Sequence, residues 1–205
     1  MKKGLLIVFS GPSGVGKGTI IKELMNDENL NLVYSISMTT RAPREGEVDG
    51  VNYFFVSKER FNEAIYNDEL LEHACFVDNF YGTPKAYVEK MRNEGKNVLL
   101  EIETVGAKQV MNHYEDDKGC VSVFIVPPSI EELESRIRGR KTESEEVIKK
   151  RIFKATQELR ETYRYQHVVC NDNIENAVMK VKDIINKSMD DYDEECADMC
   201  YTASL

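Results

Sequence analysis

Leu5-Leu6-Ile7-Val8-Phe9-Ser10-Gly11-Pro12-Ser13-Gly14-Val15-Gly16-Lys17-Gly18-Thr19 starts as an unbroken apolar run and ends in a glycine-rich turn before a helix-like segment, Ile20 to Met25. A short apolar run bounded by turn residues reads as a buried strand. Gly11, Gly14 and Gly16 let the backbone bend until its N–H groups converge on an anion, and the helix that follows adds the positive end of its dipole. Lys17 supplies a mobile positive charge. The spacing G-x-x-x-x-G-K is met at Gly11, Gly16 and Lys17, but Gly18 stands where a hydroxyl for Mg²⁺ is expected, so that hydroxyl arrives one residue later, at Thr19. Strand, glycines, lysine and helix together predict a phosphate loop, Gly11 to Thr19, for a purine nucleoside triphosphate.

Outward from this loop, the chain has the make-up of a water-soluble α/β protein. Its 205 residues suffice for one full core, with small inserted lobes. The charge balance, 27 basic against 36 acidic side chains for a net −9, argues against a nucleic-acid partner bound through a general basic surface. No apolar run approaches the ~20 residues that span a bilayer, and Met1-Lys2-Lys3-Gly4 leads directly into a strand rather than a signal peptide. A cytoplasmic location without membrane contact is expected. Cys75, Cys120, Cys170, Cys196 and Cys200 are an odd number, with no further Cys/His cluster beside the last two, so reduced thiols are expected.

Strands are predicted at Leu5–Phe9, Leu32–Ser37, Tyr53–Val56, Leu70–Phe76 with Asn79–Gly82, Asn97–Glu103, Val121–Val126 and Val168–Cys170. Between them lie helices from Lys17, from an N-cap at Ser57, from an N-cap at Thr83 with Pro84 behind it, from about Val105, from capping boxes at Ser129 and Thr142, and from Ile174 to about Met189. This alternation implies a parallel sheet covered by helices on both faces, with ligands at the carboxyl ends of the strands. Two polar interruptions, about Arg41 to Tyr81 and about Gly139 to Lys150, mark small lobes. The tail from Asp190 carries six acidic and no basic side chains and is expected to be disordered.

A second basic group raises the question of a second phosphate. Arg41 and Arg44 sit in a loop headed by Ser37, Thr39 and Thr40 and followed by Tyr53, and guanidinium forks with hydroxyls all donate to phosphate oxygens. A simple triphosphate hydrolase would not need them. A third basic group, Arg136, Arg138, Arg140 and Arg151, surrounds the other interruption.

From about Gly4 to Met189 the chain resembles the guanylate kinases. The resemblance rests on Gly11-Pro12-Ser13-Gly14, Ser37-Met38-Thr39-Thr40-Arg41 with Pro43-Arg44, Gly46-Glu47, Tyr53-Phe54-Phe55-Val56, Leu71-Glu72-His73-Ala74, Tyr81-Gly82-Thr83, Pro127-Pro128-Ser129, Arg138-Gly139-Arg140 and Val168-Val169-Cys170-Asn171-Asp172. It implies phosphoryl transfer from ATP to GMP with Mg²⁺, in a core of residues 1–36 and 84–189, a GMP-binding lobe of about 37–83 and a lid of about 139–150. By resemblance Arg41, Arg44, Tyr53 and Tyr81 hold the GMP phosphate, while Ser37, Glu72 and Thr83 read the base. Guanine offers two adjacent donors, N1–H and the 2-amino group, which one carboxylate can accept together. Adenine would set a lone pair against that carboxylate, and a buried charge left unpaired rejects it.

The resemblance also implies that Arg136, Arg140 and Arg151 close over the ATP phosphates, with Lys17, Arg44, Arg140 and Arg151 acting in catalysis, and that Asn171 lies near the adenine. Glu101 and Glu103 stand where the family more often has aspartate. Glu103 is assigned to the GMP side, and Glu101, with Thr19, to the metal through ordered water. The Gly16-Lys17-Gly18-Thr19 form also resembles adenylate kinases, but Ser37 to Arg44 and Glu72 do not belong to that pattern. A GTPase would need an Asn-Lys-x-Asp motif, and non-catalytic scaffold modules of this type usually lack the phosphate loop. His73, His113 and His167 are scattered and read as structural or surface residues. The oligomeric state, monomer or homodimer, stays open.

Overall fold

Strand β1 (Leu6–Ser10) is the axis of the molecule, because its residues are buried on both sides. Leu5, Ile7 and Phe9 face one apolar cluster and Leu6 and Val8 the other, as the two-residue period of a strand requires. The computed structural model describes residues 2–76, 78–139 and 144–202. Within them β2 (Leu32–Tyr34), β7 (Asn97–Glu101), β8 (Cys120–Val126) and β9 (His167–Cys170) join β1 in a five-stranded sheet of order β2-β7-β1-β8-β9. Every pairing in it is parallel. On one face α1 (Lys17–Met25), α5 (Ile130–Arg138), α6 (Glu145–Leu159) and α7 (Ile174–Thr202) contribute Ile20, Leu24, Leu133, Ile148, Ala177 and Val181 to the first cluster. On the other, α3 (Lys85–Asn93) and α4 (Thr104–His113) contribute Val88, Ala107 and Val110. The predicted α/β architecture is therefore present, and no helix of the described residues is long and apolar enough to cross a membrane.

A second sheet, β4-β3-β6-β5, is built from β3 (Met38–Thr39), β4 (Phe54–Phe55), β5 (Leu70–Phe76) and β6 (Asn79–Pro84). Helix α2 (Lys58–Tyr66), capped by Ser57 as predicted, covers it with Phe61 and Ala64. Phe61 stacks on Phe80 at 5.5 Å. The predicted strand Leu32–Ser37 is divided between the two sheets. The Ser35 amide donates to Leu99 O at 2.9 Å in the main sheet, whereas Ser37 O accepts from Phe54 N at 2.9 Å in the lobe. Only Ile36 lies between these two anchors.

Two expectations are corrected. Thr83 is not a helix cap: it lies in β6, and Pro84 is the N-cap of α3 with no side-chain cap bond. The tail after Met189 is not disordered through the described residues, since α7 continues to Thr202. The spacing of Ile185, Met189 and Tyr192 continues the buried stripe of that helix onto the first cluster. Asp193 pairs with Lys2. Tyr192 also lies where Gly119 has no side chain, as a Cβ there would stand 2.8 Å from its ring.

At the amino-terminal edge of the main sheet Arg92 is fully buried. Its Nε donates to Gly4 O at 2.9 Å, its Nη1 lies 2.9 Å from Asp117 Oδ2, and its guanidinium stands over the Tyr114 ring. This cluster ties α3 to β1 at the end of the strands opposite the phosphate loop.

Candidate active site

The loop after β1 folds as its glycines dictate. Gly14 and Gly16 have φ of 89° and 100°, in the region that favours glycine, and Gly16 is the N-cap of α1. A Cβ on Gly16 would lie 2.5 Å from the Asn171 amide nitrogen. That amide donates to Val15 O at 2.7 Å, so Asn171, expected near the adenine, is a buried brace across the loop. Lys17 Nζ donates to Gly11 O at 2.7 Å and Pro12 O at 3.3 Å. Burial pushes its ammonium below the ordinary lysine range, against the opposing pull of Glu101, Glu158 and Glu103. Arg151, from α6, donates to Ser13 Oγ at 2.5 Å, and Arg136, from α5, donates to Asn171 O at 3.2 Å. Arg140 lies outside the described residues, as does Thr142 of the second predicted capping box; Ser144 is the N-cap of α6.

Beside the loop a cavity of about 300 Å³ opens between the two sheets. Of the residues expected at the acceptor nucleotide, it gathers Ser37, Tyr53, Glu72, Tyr81 and Glu103, with Glu101 on the same wall. Glu72 is 5% exposed and Thr83 fully buried, and the Thr83 hydroxyl donates to Glu72 Oε1 at 2.7 Å. Burial raises the Glu72 carboxyl to about 7, the Thr83 hydroxyl and amide pulling the other way. A register shift between Leu70 and His73 in the β5–β6 pair inserts one residue on β5 and lets Leu71 and Glu72 both turn inward. Gln109 of α4 clamps this strand, accepting from His73 N at 3.2 Å and donating to His73 O at 3.1 Å.

Arg41 stands behind the cavity wall. Its guanidinium pairs with Glu47 at 2.8 Å and lies 5.4 Å from the Tyr53 ring centre, and it engages the Tyr81 hydroxyl. The Glu47 carboxylate, held below its usual range by Arg41, also accepts from the Arg44 amide at 2.7 Å, leaving the Arg44 side chain exposed. Glu103 is the N-cap residue of α4 rather than the end of a strand. Its Oε2 lies 2.9 Å from Lys154 Nζ, three residues after Arg151 on α6.

Four contributors escape the sequence reading. Ser35 lines the cavity 4% exposed, and its hydroxyl has no hydrogen-bond partner among the described residues; its two-residue spacing from Ser37 was the available sign. Tyr34 donates to Glu101 Oε2 at 3.2 Å. Lys154 and Gly106 complete the set, the latter signalled only as a lone glycine in a helical pattern.

The metal expectation divides. Thr19 lines a groove between α1 and α7 with Ile174 and Lys182, while Glu101 lines the cavity. Among the described residues no group of three or more His, Cys, Asp or Glu could hold a metal ion. Mg²⁺ keeps most of its waters and takes one or two carboxylates with substrate phosphates, and Glu101 beside the phosphate loop fits that mode.

A glycine-rich loop at the carboxyl end of a parallel sheet, with a carboxylate-lined cavity opening between that sheet and the smaller one, defines a P-loop α/β protein. The family model for guanylate kinase matches residues 3–188. A guanylate kinase of Mesoplasma florum is 58% identical over 183 residues, 89% of this chain and 61% of that protein. One of Bacillus cereus is 53% identical over 184 residues, 90% of this chain and 88% of that protein. The crystal structure of guanylate kinase from Anaplasma phagocytophilum superposes with a TM-score of 0.71 at 34% identity, covering 91% of this chain and 86% of that one. The chain belongs to the guanylate kinase family. It spans about three fifths of the length of its Mesoplasma relative.

Proposed function

We propose that this protein transfers the γ-phosphoryl group of ATP to the phosphate of GMP, giving ADP and GDP, within purine nucleotide metabolism in the cytoplasm. The observation that carries the reading is the buried Glu72 carboxylate, fixed by Thr83 at the floor of a cavity that adjoins the phosphate loop.

The acceptor base enters beside Glu72, which takes N1–H and the 2-amino group of guanine, while Ser37 offers its hydroxyl to the same edge and Thr83, its proton already given to Glu72, fixes that carboxylate. Its phosphate meets Arg41, Arg44, Tyr53 and Tyr81 at the cavity mouth, where Arg41 is already oriented by Glu47 and the Tyr53 ring. Glu103 lies on the GMP side of the cavity. On the donor side the amides of Gly11 to Thr19 and the Lys17 ammonium receive the ATP phosphates, and Lys17 leaves its carbonyl partners to do so. Arg136, Arg140 and Arg151 offset the charge that spreads over the transferring phosphoryl group. Glu101, with Thr19, would hold Mg²⁺ through water, and the ion would supply positive charge against the ATP phosphates. No covalent nucleophile is needed, because the acceptor is itself a phosphate.

A coupled assay of ADP formation with Mg-ATP and each of GMP, AMP, CMP and UMP tests this. Turnover is expected with GMP alone. Turnover with AMP but not GMP would sink the Glu72 argument, and turnover with none would leave a nucleotide-binding module.

A further inference from the structure

Glycine is a poor residue for a helix, yet α4 has Gly106 in its first turn, and Gly106 is not among the glycines with positive φ. Its backbone therefore does not require glycine. Its neighbour does. A Cβ built on Gly106 lies 3.0 Å from Glu72 Cδ and 3.3 Å from Cγ, and closer still to Oε2, whereas one built on Gly18 meets nothing within 4 Å. Glu72 is thus gripped from two directions, with Oε1 on the Thr83 hydroxyl and Oε2 against the bare backbone of α4.

We propose that Gly106 is a positioning residue for base recognition: its missing side chain leaves the slot in which the Glu72 carboxylate is held at the depth needed to read the base. The inference rests on the proposed reading of Glu72 as the acceptor of the two guanine donors. Helix propensity alone makes Gly106→Ala neutral or stabilising, since alanine is the better helix former. The carboxylate makes the opposite demand on binding, because a methyl there displaces Glu72, and losing one hydrogen bond to a charged group costs roughly 10- to 100-fold in affinity. Glu72→Asp is one methylene shorter and withdraws the carboxylate from that collision.

The test is a calorimetric titration of GMP into the wild type, Gly106→Ala, Glu72→Asp and the double variant. Gly106→Ala should bind GMP roughly 10- to 100-fold more weakly without melting at a lower temperature. In the Glu72→Asp background the same substitution should change affinity by no more than about threefold. Undiminished binding by Gly106→Ala, or equal losses in the two backgrounds, overturns the proposal. Thermal melts at pH 5 and pH 8 give a readout that needs no nucleotide. Glu103 is the other ionisable group bearing on Glu72, and it is present in every variant. Gly106→Ala should move the Glu72 carboxyl toward water, so the stability lost between the two pH values shrinks; an unchanged loss overturns the slot. If the wild type binds no GMP, the substrate reading fails, and the melts alone decide on Gly106.

Discussion

Thr83 Oγ1 donates to Glu72 Oε1 at 2.7 Å in a site where neither side chain meets solvent appreciably. One hydroxyl does not compensate a carboxylate for the water it has lost, which is why Glu72 titrates near 7 rather than at the usual 4.5. The linkage has a definite sign. Below pH 4.5 the group is protonated in folded and unfolded chains alike and costs nothing. Between 4.5 and 7 the unfolded chain releases the proton while the folded one retains it, so stability falls as pH rises, by roughly 3 kcal/mol once the folded group ionises. Glu72→Gln should therefore stabilise the ligand-free protein at pH 8, by up to that amount, and leave it unchanged near pH 4. Denaturant melts at the two pH values measure this, and an equal effect at both would show that the carboxylate is not strained by burial.

Ser35 predicts two effects of opposite direction. Its hydroxyl is buried with no partner among the described residues, and an orphaned buried hydroxyl costs about 1–3 kcal/mol. Ser35→Ala should raise the melting temperature of the ligand-free protein, yet reduce the further rise produced by GMP, with about tenfold weaker binding. A variant less stable than the wild type without ligand would mean that the hydroxyl already has a partner.

Arg151 reaches the phosphate loop from α6, where it donates to the Ser13 hydroxyl on the donor side of the site. Arg151→Ala should lower kcat by about 10³-fold while the KM for GMP stays within a few-fold, as befits a group acting in the transition state. Steady-state kinetics separate the two parameters. A raised KM for GMP at unchanged kcat would move Arg151 to the acceptor side.

Arg92 lies far from this chemistry, and its loss should be felt in folding alone. Removing the guanidinium strands the Asp117 carboxylate and empties the space beside Tyr114. Asp117 keeps partial access to water, so breaking this half-buried pair and emptying the space costs about 2–4 kcal/mol, below the figure for a fully buried pair. Urea unfolding of Arg92→Ala should show that loss, and an m-value like that of the wild type would confirm that the same structure is being unfolded.

What the sequence made legible was local chemistry. The phosphate loop announces itself within fifteen consecutive residues, Leu5 to Thr19, because strand, turn and helix follow one another without interruption. Glu72 and the residues around it were reachable through the family pattern. The contacts that hold Glu72 were not, because they join distant parts of the chain. The extra residue of β5 is set by pairing with β6, the slot at Gly106 lies on another helix, and Lys154 meets Glu103 from 51 positions away. Thr83 looks like a helix cap because it precedes Pro84, and only its place in a strand turns its hydroxyl to Glu72. The acidic tail looks unstructured because its partners, Lys2 and Gly119, are remote in sequence.

The junction at Ile36 carries a consequence for timing. Ser35 is fastened to the main sheet and Ser37 to the lobe, and both border the same cavity. The β6–α3 join and the Gln109–His73 bonds tie the second sheet to the core at two further places, so any movement between sheet and core would change the dimensions of the cavity itself, not merely cover it. A nucleotide that bridges the two serines would then hold the joint shut, whereas one that engages only the lobe would leave it free to reopen. In such a machine, discrimination between bases and commitment to the reaction are the same event.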